Sequence, residues 1–204
     1  MRPARAKRIG LFGGSFDPVH NAHRVLARCA LDALALDELR WVPAGRPWQK
    51  GGTVATALQR LEMVRLAIAG EPRFCVEPCE IVHDGPSYTI DTVLALQTVT
   101  PAAQWFLLIG QDQLARFHTW HRWQELATLA TLAVASRAGD PVRVPPELSA
   151  AAVPLIELPM PAMPISSTEI RARRAAGQAI DALVPVAVAR YIDTHGLYRD
   201  PLRS

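Results

Sequence analysis

The chain has 204 residues, half of them hydrophobic, and a formal net charge of +3 at pH 7. This length predicts one domain, residues 1–204, with a sizeable core, and the mild positive charge suits anionic ligands. The three cysteines form no CxxC pair, which argues against a disulfide framework and favours a cytoplasmic protein. A short apolar run after the basic start predicts no secretion signal, and no stretch approaches the roughly 18 to 20 apolar residues of a membrane span.

Short apolar runs alternate with longer helical patterns along the chain. This order predicts an α/β fold: a doubly wound parallel sheet with helices on both faces and a small C-terminal helical part at about 165–199. The predicted strands are 8–12, 38–42, 74–82, 104–109 and 131–135, with a further extended piece at 154–158. The predicted helices are 22–35, 56–69, 88–98, 120–129, 167–176 and 185–194. Residues 43–53 predict a mobile loop and residues 138–154 an irregular segment.

The stretch GGSFDPVHNAH, residues 13–23, joins the first predicted strand to the first predicted helix. In a parallel sheet this loop lies at the carboxyl end of a strand, where ligands bind. Gly13 and Gly14 allow a ligand to approach the backbone, and a helix start offers N–H groups and partial positive charge to an anion. The stretch has neither the GxxxxGK[ST] nor the GxGxxG pattern, so it predicts neither a P-loop nor a dehydrogenase.

His20 and His23 lie three residues apart, so they share one face of the predicted helix. From the residues alone, three interpretations remain: donors to a phosphoryl group, a helix-capping pair, or metal ligands. Asp17 precedes a proline and is expected to fix the turn. Cys75, Cys79 and His83 recur every fourth residue, but no fourth ligand is evident, so we do not predict zinc there.

The two ends of the chain carry signatures that resemble those of the nucleotidyltransferase superfamily. GGSFDPVHNAH resembles its (H/T)xGH signature, and ISSTEIR at 165–171 resembles its ISSTxxR signature. Further segments are similar to bacterial nicotinate-nucleotide adenylyltransferases: GPSYTIDT (85–92), IGQD (109–112), TWHRW (119–123) and HGLYR (195–199). The resemblance covers essentially residues 8–199. It implies a Rossmann-like fold and the transfer of the adenylyl group of ATP to nicotinate mononucleotide, giving deamido-NAD and pyrophosphate.

The resemblance also implies site residues. His20, His23 and Arg171 are the implied catalytic groups. The implied ATP-binding residues are Gly13, Gly14, Ser15, Phe16, His20, His23, Ile165, Ser166, Ser167, Thr168 and Arg171. The implied mononucleotide-binding residues are Lys50, Ser87, Tyr88, Thr89, Asp112 and Trp120.

Within that implied site, Ser87 caps a helix whose N–H groups near Tyr88 and Thr89 bind the nicotinate carboxylate. Trp120 stacks on the pyridinium ring, and Asp112 accepts a hydrogen bond from a ribose hydroxyl. No acidic cluster predicts a metal site made by the protein, so Mg²⁺ is expected to arrive with ATP, held by phosphates and water. Neither nucleic acid nor a membrane is expected as a partner, and the sequence does not indicate an oligomeric partner.

Three positions depart from the family pattern. Ala22 stands where the first signature has glycine, PWQK at 47–50 keeps the lysine but not the histidine of a PPHK segment, and His83 replaces an arginine. One alternative is another small-molecule adenylyltransferase, such as pantetheine-phosphate adenylyltransferase, which typically begins its first signature with threonine and lacks GPSYT and TWHRW. A second alternative is a non-catalytic nucleotide- or RNA-binding module, although the scattered arginines form no basic stripe.

Overall fold

The computed structural model describes residues 5–45, 54–82, 85, 87–137 and 141–200. Within these ranges six strands form one sheet: β1 (Arg8–Gly14), β2 (Glu38–Pro43), β3 (Phe74–Val76), β4 (Gln104–Gly110), β5 (Thr131–Arg137) and β6 (Leu155–Met160). The strand order is β3-β2-β1-β4-β5-β6, and every neighbouring pair is parallel. The chain reverses its direction of winding between β1 and β4, so the loops after these two strands open onto a crevice.

The helices alternate with the strands as predicted. They are α1 (Asn21–Ala33), α2 (Ala57–Ile68), α3 (Cys79–Val82), α4 (Thr89–Val99), α5 (Gln111–Leu114), α6 (Trp123–Leu129), α7 (Pro146–Ala150), α8 (Ser167–Ala175) and α9 (Val186–Thr194), with a 3₁₀ turn at Phe117–Thr119. None of the helices in the described ranges combines the length and the apolar character needed to cross a bilayer.

Alternate residues of the central strands face two separate cores, as the period of a strand requires. In β4, Phe106 and Leu108 pack into one core, with buried residues of α1, α2, α8 and α9. Leu107 and Ile109 pack into the other core, with buried residues of α4 and α6. Both faces of the sheet are therefore covered by helices, which confirms the predicted doubly wound α/β class.

The strand predicted at 74–82 is wrong beyond Val76. Pro78 lacks an N–H to continue the sheet, and its carbonyl oxygen accepts hydrogen bonds from the N–H groups of Ile81 and Val82. These contacts start α3 instead of extending β3.

Two further boundaries differ from the sequence prediction. The helix predicted from Trp120 begins only at Trp123, because Arg122 has a left-handed backbone with φ of 52°. The segment predicted as irregular contains α7, which follows Pro145 and begins with a second proline, and proline at the first helical position presets the backbone for a helix.

Candidate active site

The loop after β1 is shaped by a buried aromatic ring. Phe16 has a left-handed backbone with φ of 47°, and its ring lies 5.4 Å from that of Phe12 and 5.1 Å from that of His23, edge-on to both. A β-carbon on Gly13 would meet nothing within 4 Å. A β-carbon on Gly14 would lie 3.1 Å from the Phe16 ring. Both glycines line a cavity of about 360 Å³ at the edge of the sheet.

The two histidines of this loop form a stacked pair at the start of α1. His20 is the residue before the helix, and its ring centroid lies 3.6 Å from that of His23. The backbone N–H of His20 donates to Nδ1 of His23 at 3.2 Å. That bond needs an unprotonated Nδ1, so the proton of a neutral His23 ring sits on Nε2, which becomes a hydrogen-bond donor. The capping interpretation of the pair therefore fits the structure, and Nε2 of a neutral His23 ring, which lines the cavity, is a hydrogen-bond donor.

Asp17 joins three parts of the chain beneath this loop. Its side chain is 5% exposed. It accepts hydrogen bonds from the N–H groups of Val54 at 2.8 Å and Ala55 at 3.1 Å, and from the hydroxyl of Tyr198 at 2.7 Å. Asp17 therefore has a structural role at the start of α2 and the C-terminal segment, and its role in fixing the turn stays a prediction.

The second signature places the start of α8 against the first loop. The Ser166 hydroxyl caps the helix by accepting from the N–H of Glu169 at 3.1 Å. The Ser167 hydroxyl donates to the carbonyl oxygen of Pro18 at 2.9 Å. Arg171 donates to the carbonyl oxygen of Asp17 at 2.7 Å and keeps 30% of its side chain exposed. A permanent positive charge and a helix start therefore lie against the segment Asp17–Pro18 that leads into the histidine pair.

The start of α4 lies at the other end of the same cavity, which is lined by Ser87, Tyr88 and Thr89. The predicted cap at Ser87 is wrong: the residue before the helix is Tyr88, and no side chain caps it. The Ser87 hydroxyl instead accepts from the N–H of Gly45 at 3.2 Å. The first N–H groups of α4 have no partner inside the helix, so this helix start can accept an anion.

Aromatic rings flank the start of α4. Trp120 is half-buried, packs against Phe117 at 5.2 Å and lines the cavity. The Tyr88 ring lies 4.5 Å from that of His121, tilted by 34°. Trp123 packs against the core on the α4 side of the sheet. A flat ring of substrate size thus has aromatic neighbours beside the helix start.

Asp112 lies in a second cavity, of about 560 Å³, at the carboxyl ends of β4, β5 and β6. The residues that line it include Asp112, Ser136, Arg143 and Met163. The structure does not bring Asp112 together with Tyr88 and Thr89, whereas Gly110 and Gln113 line both cavities. The two cavities therefore meet at the end of β4.

Arg60 is a site residue that the sequence reasoning missed. It is fully buried in α2, and its guanidinium donates to the carbonyl oxygens of Ser15 at 2.8 Å and Gly45 at 3.1 Å. Burial lowers the pKa of this arginine, and the charge of Asp17 opposes the shift. Arg60 thereby ties together the loops after β1 and β2. One feature of the sequence could have indicated this role: Arg60 lies on the same, apolar face of the helix as Met63 and Val64.

Glu80 was also missed. It lines the cavity beside Ser87, and the Thr92 hydroxyl donates to its carboxylate at 2.8 Å. Burial raises the pKa of Glu80, although hydrogen bonds from Thr92 and Ser87 and the charge of Arg60 oppose the rise. A β-carbon on Gly45 would overlap the carbonyl oxygen of Glu80, so glycine is required at that close approach.

Some predicted residues lie outside the described ranges, namely Lys50, the rest of PWQK at 47–50, and His83. Ala22 lies in the first turn of α1. Across the described part of the chain, no three His, Cys, Asp or Glu side chains are grouped as a metal site requires. Burial raises the pKa of Cys79 to about 11, so this thiol stays protonated at neutral pH.

Comparison with known proteins agrees with these features. The model of the cytidylyltransferase-like family matches residues 11–173. A protein of Methylibium petroleiphilum named as a probable nicotinate-nucleotide adenylyltransferase is 52% identical, over 98% of this chain and 97% of its own length. A protein of Neisseria meningitidis serogroup B with the same name is 44% identical, over 94% and 98%.

Solved structures of lower identity share the fold. Nicotinic acid mononucleotide adenylyltransferase of Plasmodium falciparum, complexed with NaAD, superposes with a TM-score of 0.77 at 19% identity, covering 94% of this chain and 97% of that one. A putative nicotinate-nucleotide adenylyltransferase of Vibrio parahaemolyticus superposes with a TM-score of 0.69, also at 19% identity, covering 96% and 98%. These likenesses confirm the Rossmann-like architecture.

Proposed function

Because this chain belongs to the cytidylyltransferase-like family and, within it, to the nicotinate-nucleotide adenylyltransferases, we propose that it transfers the adenylyl group of ATP to nicotinate mononucleotide. The products are deamido-NAD and pyrophosphate, which places the enzyme in NAD biosynthesis. One observation carries the assignment to this site. A single cavity is lined by His23 of the first signature, Ser167 of the second, and the start of α4 with Trp120.

The reaction needs no covalent intermediate with the protein. An oxygen of the mononucleotide 5′-phosphate forms a bond to the α-phosphorus of ATP, and the bond from that phosphorus to the bridging oxygen breaks as pyrophosphate leaves. Catalysis then consists of positioning two anions and stabilising the charge that develops between them. His23 supports that role, because its Nε2–H is held as a donor by the contact at Nδ1.

The start of α8 supports binding of the β- and γ-phosphates. The helix offers unpaired N–H groups, and Arg171 adds a full charge beside them. Asp17 is the buried carboxylate closest to this arginine, at 4.0 Å, and its oxygens already accept three hydrogen bonds. Such a carboxylate is poorly suited to coordinate metal, which supports Mg²⁺ entering as part of the MgATP substrate.

The start of α4 supports recognition of the nicotinate carboxylate near Tyr88 and Thr89. A carboxylate accepts hydrogen bonds from the first N–H groups of α4 and gains about 0.3 to 1 kcal/mol from the helix charge, or up to ~2 kcal/mol when partly buried. An amide loses that attraction and leaves an N–H unpaired, at a cost of about 1 to 3 kcal/mol. Together these effects predict roughly 30- to 1000-fold preference for nicotinate over nicotinamide mononucleotide.

The remaining assignments complete the site. We further infer that Asp112 binds a ribose hydroxyl from the second cavity and that Trp120 stacks on the pyridinium ring. Residues 1–204 act as one catalytic unit, an arrangement supported by the bonds from Ser167, Arg171 and Tyr198 to the first loop. The three free cysteines suit the reducing cytoplasm.

Incubation with MgATP and nicotinate mononucleotide tests the proposal. We expect pyrophosphate and deamido-NAD to form in equal amounts. Pantetheine phosphate in place of the mononucleotide should give no pyrophosphate. Absence of product from folded protein with MgATP and nicotinate mononucleotide would refute the assignment. Pyrophosphate release from MgATP with pantetheine phosphate, but not with nicotinate mononucleotide, would instead indicate a pantetheine-phosphate adenylyltransferase.

A further inference from the structure

Tyr198, near the C-terminal end of the described chain, reaches back into the loop after β1. Its side chain is 7% exposed, and its hydroxyl donates to Oδ1 of Asp17 at 2.7 Å. Its backbone is left-handed, with φ of 62°, a conformation that costs free energy for a residue with a bulky side chain. The surroundings therefore hold Tyr198 in place with its hydroxyl against Asp17.

The carboxylate of Asp17 and the guanidinium of Arg171 lie close together without a direct hydrogen bond. Nη1 of Arg171 is 4.0 Å from Oδ2 of Asp17 and donates instead to the main-chain carbonyl oxygen of Asp17 at 2.7 Å. The donors to the carboxylate are neutral groups: the N–H groups of Val54 and Ala55 and the hydroxyl of Tyr198. Each such donor stabilises the charged carboxylate, so the carboxylate gains less from an additional bond to a cation.

We propose that Tyr198 is a positioning residue for adenylyl transfer: its hydroxyl satisfies Asp17 and thereby leaves Arg171 available to the triphosphate of ATP. The inference rests on the proposed function. Without the hydroxyl, Oδ1 of Asp17 loses a donor, and the guanidinium of Arg171, 4.0 Å from Oδ2 of the same carboxylate, can turn toward it. Arg60 also faces Asp17, but its guanidinium is held by carbonyl oxygens of the loops after β1 and β2. Burial and the charge of Asp17 both raise the pKa of Tyr198, so the hydroxyl stays protonated and donates at neutral pH.

The substitution Tyr198→Phe tests this directly, since it removes the hydroxyl and keeps the ring. We expect the KM for ATP to rise about tenfold, the effect of about 1.4 kcal/mol, while the KM for nicotinate mononucleotide stays within twofold. The matched control is Tyr191→Phe, on α9, whose ring stacks on His195 instead. A merely structural role would lower the folded fraction and kcat and leave both KM values unchanged, and that result would overturn the proposal.

A double substitution shows whether Tyr198 acts through Arg171. In an Arg171→Ala background, Tyr198→Phe should change kcat/KM for ATP, per folded enzyme, by less than twofold. A tenfold fall in both backgrounds would contradict the proposal. Failure of the two ideas is distinguishable: wild-type protein that makes no deamido-NAD refutes the proposed function, whereas active wild type with an unaltered Tyr198→Phe variant refutes only this inference.

Discussion

The two ends of the cavity present different chemistry to an anion. At the α8 end, Arg171 supplies a full charge against the segment that leads into the histidine pair, and buried groups such as Asp17 tie that arginine to the first loop. No Arg or Lys is among the described residues that line the cavity, so the charge of Arg171 lies just outside that lining at the α8 end, whereas Glu80 adds a carboxylate at the α4 end. The α8 end thus suits a multiply charged triphosphate. The α4 end must rely on backbone N–H groups, so its selectivity depends on hydrogen-bond geometry.

The largest expected effect comes from His23, which serves the α8 end. His23→Ala removes the donor at Nε2, and loss of one preorganised donor typically costs roughly 10²- to 10³-fold in turnover. Steady-state kcat, with circular dichroism to verify the fold, measures it. His195→Ala is the control, because that ring is exposed and stacks on Tyr191 away from the cavity. Near-normal turnover in folded His23→Ala protein would exclude His23 from the chemistry.

Arg171→Ala should weaken the binding of ATP and leave the binding of nicotinate mononucleotide nearly unchanged. Removing a charged donor to a phosphate costs about 1.5 to 3 kcal/mol, so the KM for ATP should rise about 10- to 100-fold. The KM for nicotinate mononucleotide should stay within about twofold. Arg173→Ala serves as control, since Arg173 pairs with Glu169 on the same helix. An unchanged response to ATP concentration would show that the α8 end does not use this charge.

Ser87→Ala should act on the opposite substrate. It removes the hydroxyl that accepts from the N–H of Gly45, a loss of about 1 kcal/mol. We expect about a fivefold fall in kcat/KM for nicotinate mononucleotide and no change in the KM for ATP. Ser149→Ala, at an exposed position of α7, is the control. Equal effects on both substrates would mean that Ser87 supports the whole crevice instead of the α4 end alone.

The smallest effect concerns stability and Glu80. Because burial raises the pKa of Glu80 above 4.5, the folded state keeps this proton where the unfolded chain has lost it. The contribution to stability is therefore complete below pH 4.5 and decreases as pH rises through the raised pKa. Glu80→Gln should remove that decrease, as measured by the free energy of unfolding between pH 4 and about 7. Glu147→Gln, at an exposed carboxylate, should follow wild type, and parallel curves for all three proteins would contradict the prediction.

The sequence predicted the sheet and the reactive loop because both depend on local patterns. The apolar runs gave β1, β2, β4 and β5 nearly complete, and the strand–glycine–helix order placed His20 and His23 at the start of α1. The predicted helix start at Trp120 was wrong because nothing in the local sequence indicates that the backbone of Arg122 is left-handed. The family, and the activity implied by the resemblance, are confirmed by the relatives.

The sequence did not predict the contacts that support the site, because these join distant segments. Tyr198 meets Asp17 across 181 residues, and Arg60 bonds to Ser15 across 45. No spacing rule connects such pairs. Ser87 illustrates the limit: a serine before a helix is typical of a cap, yet its hydroxyl contacts Gly45 of another loop. The site residues implied by the resemblance remain predictions that the variants above test.

The division of the cavity into two independent recognition ends is tested most directly by one ratio. It compares kcat/KM for nicotinate mononucleotide with kcat/KM for nicotinamide mononucleotide, at saturating ATP, in wild type and in Arg171→Ala. We predict a preference for the acid of roughly 30- to 1000-fold that is the same in both proteins, because only the start of α4 binds the carboxylate. A ratio near one in wild type, or a ratio that collapses in Arg171→Ala, would contradict it.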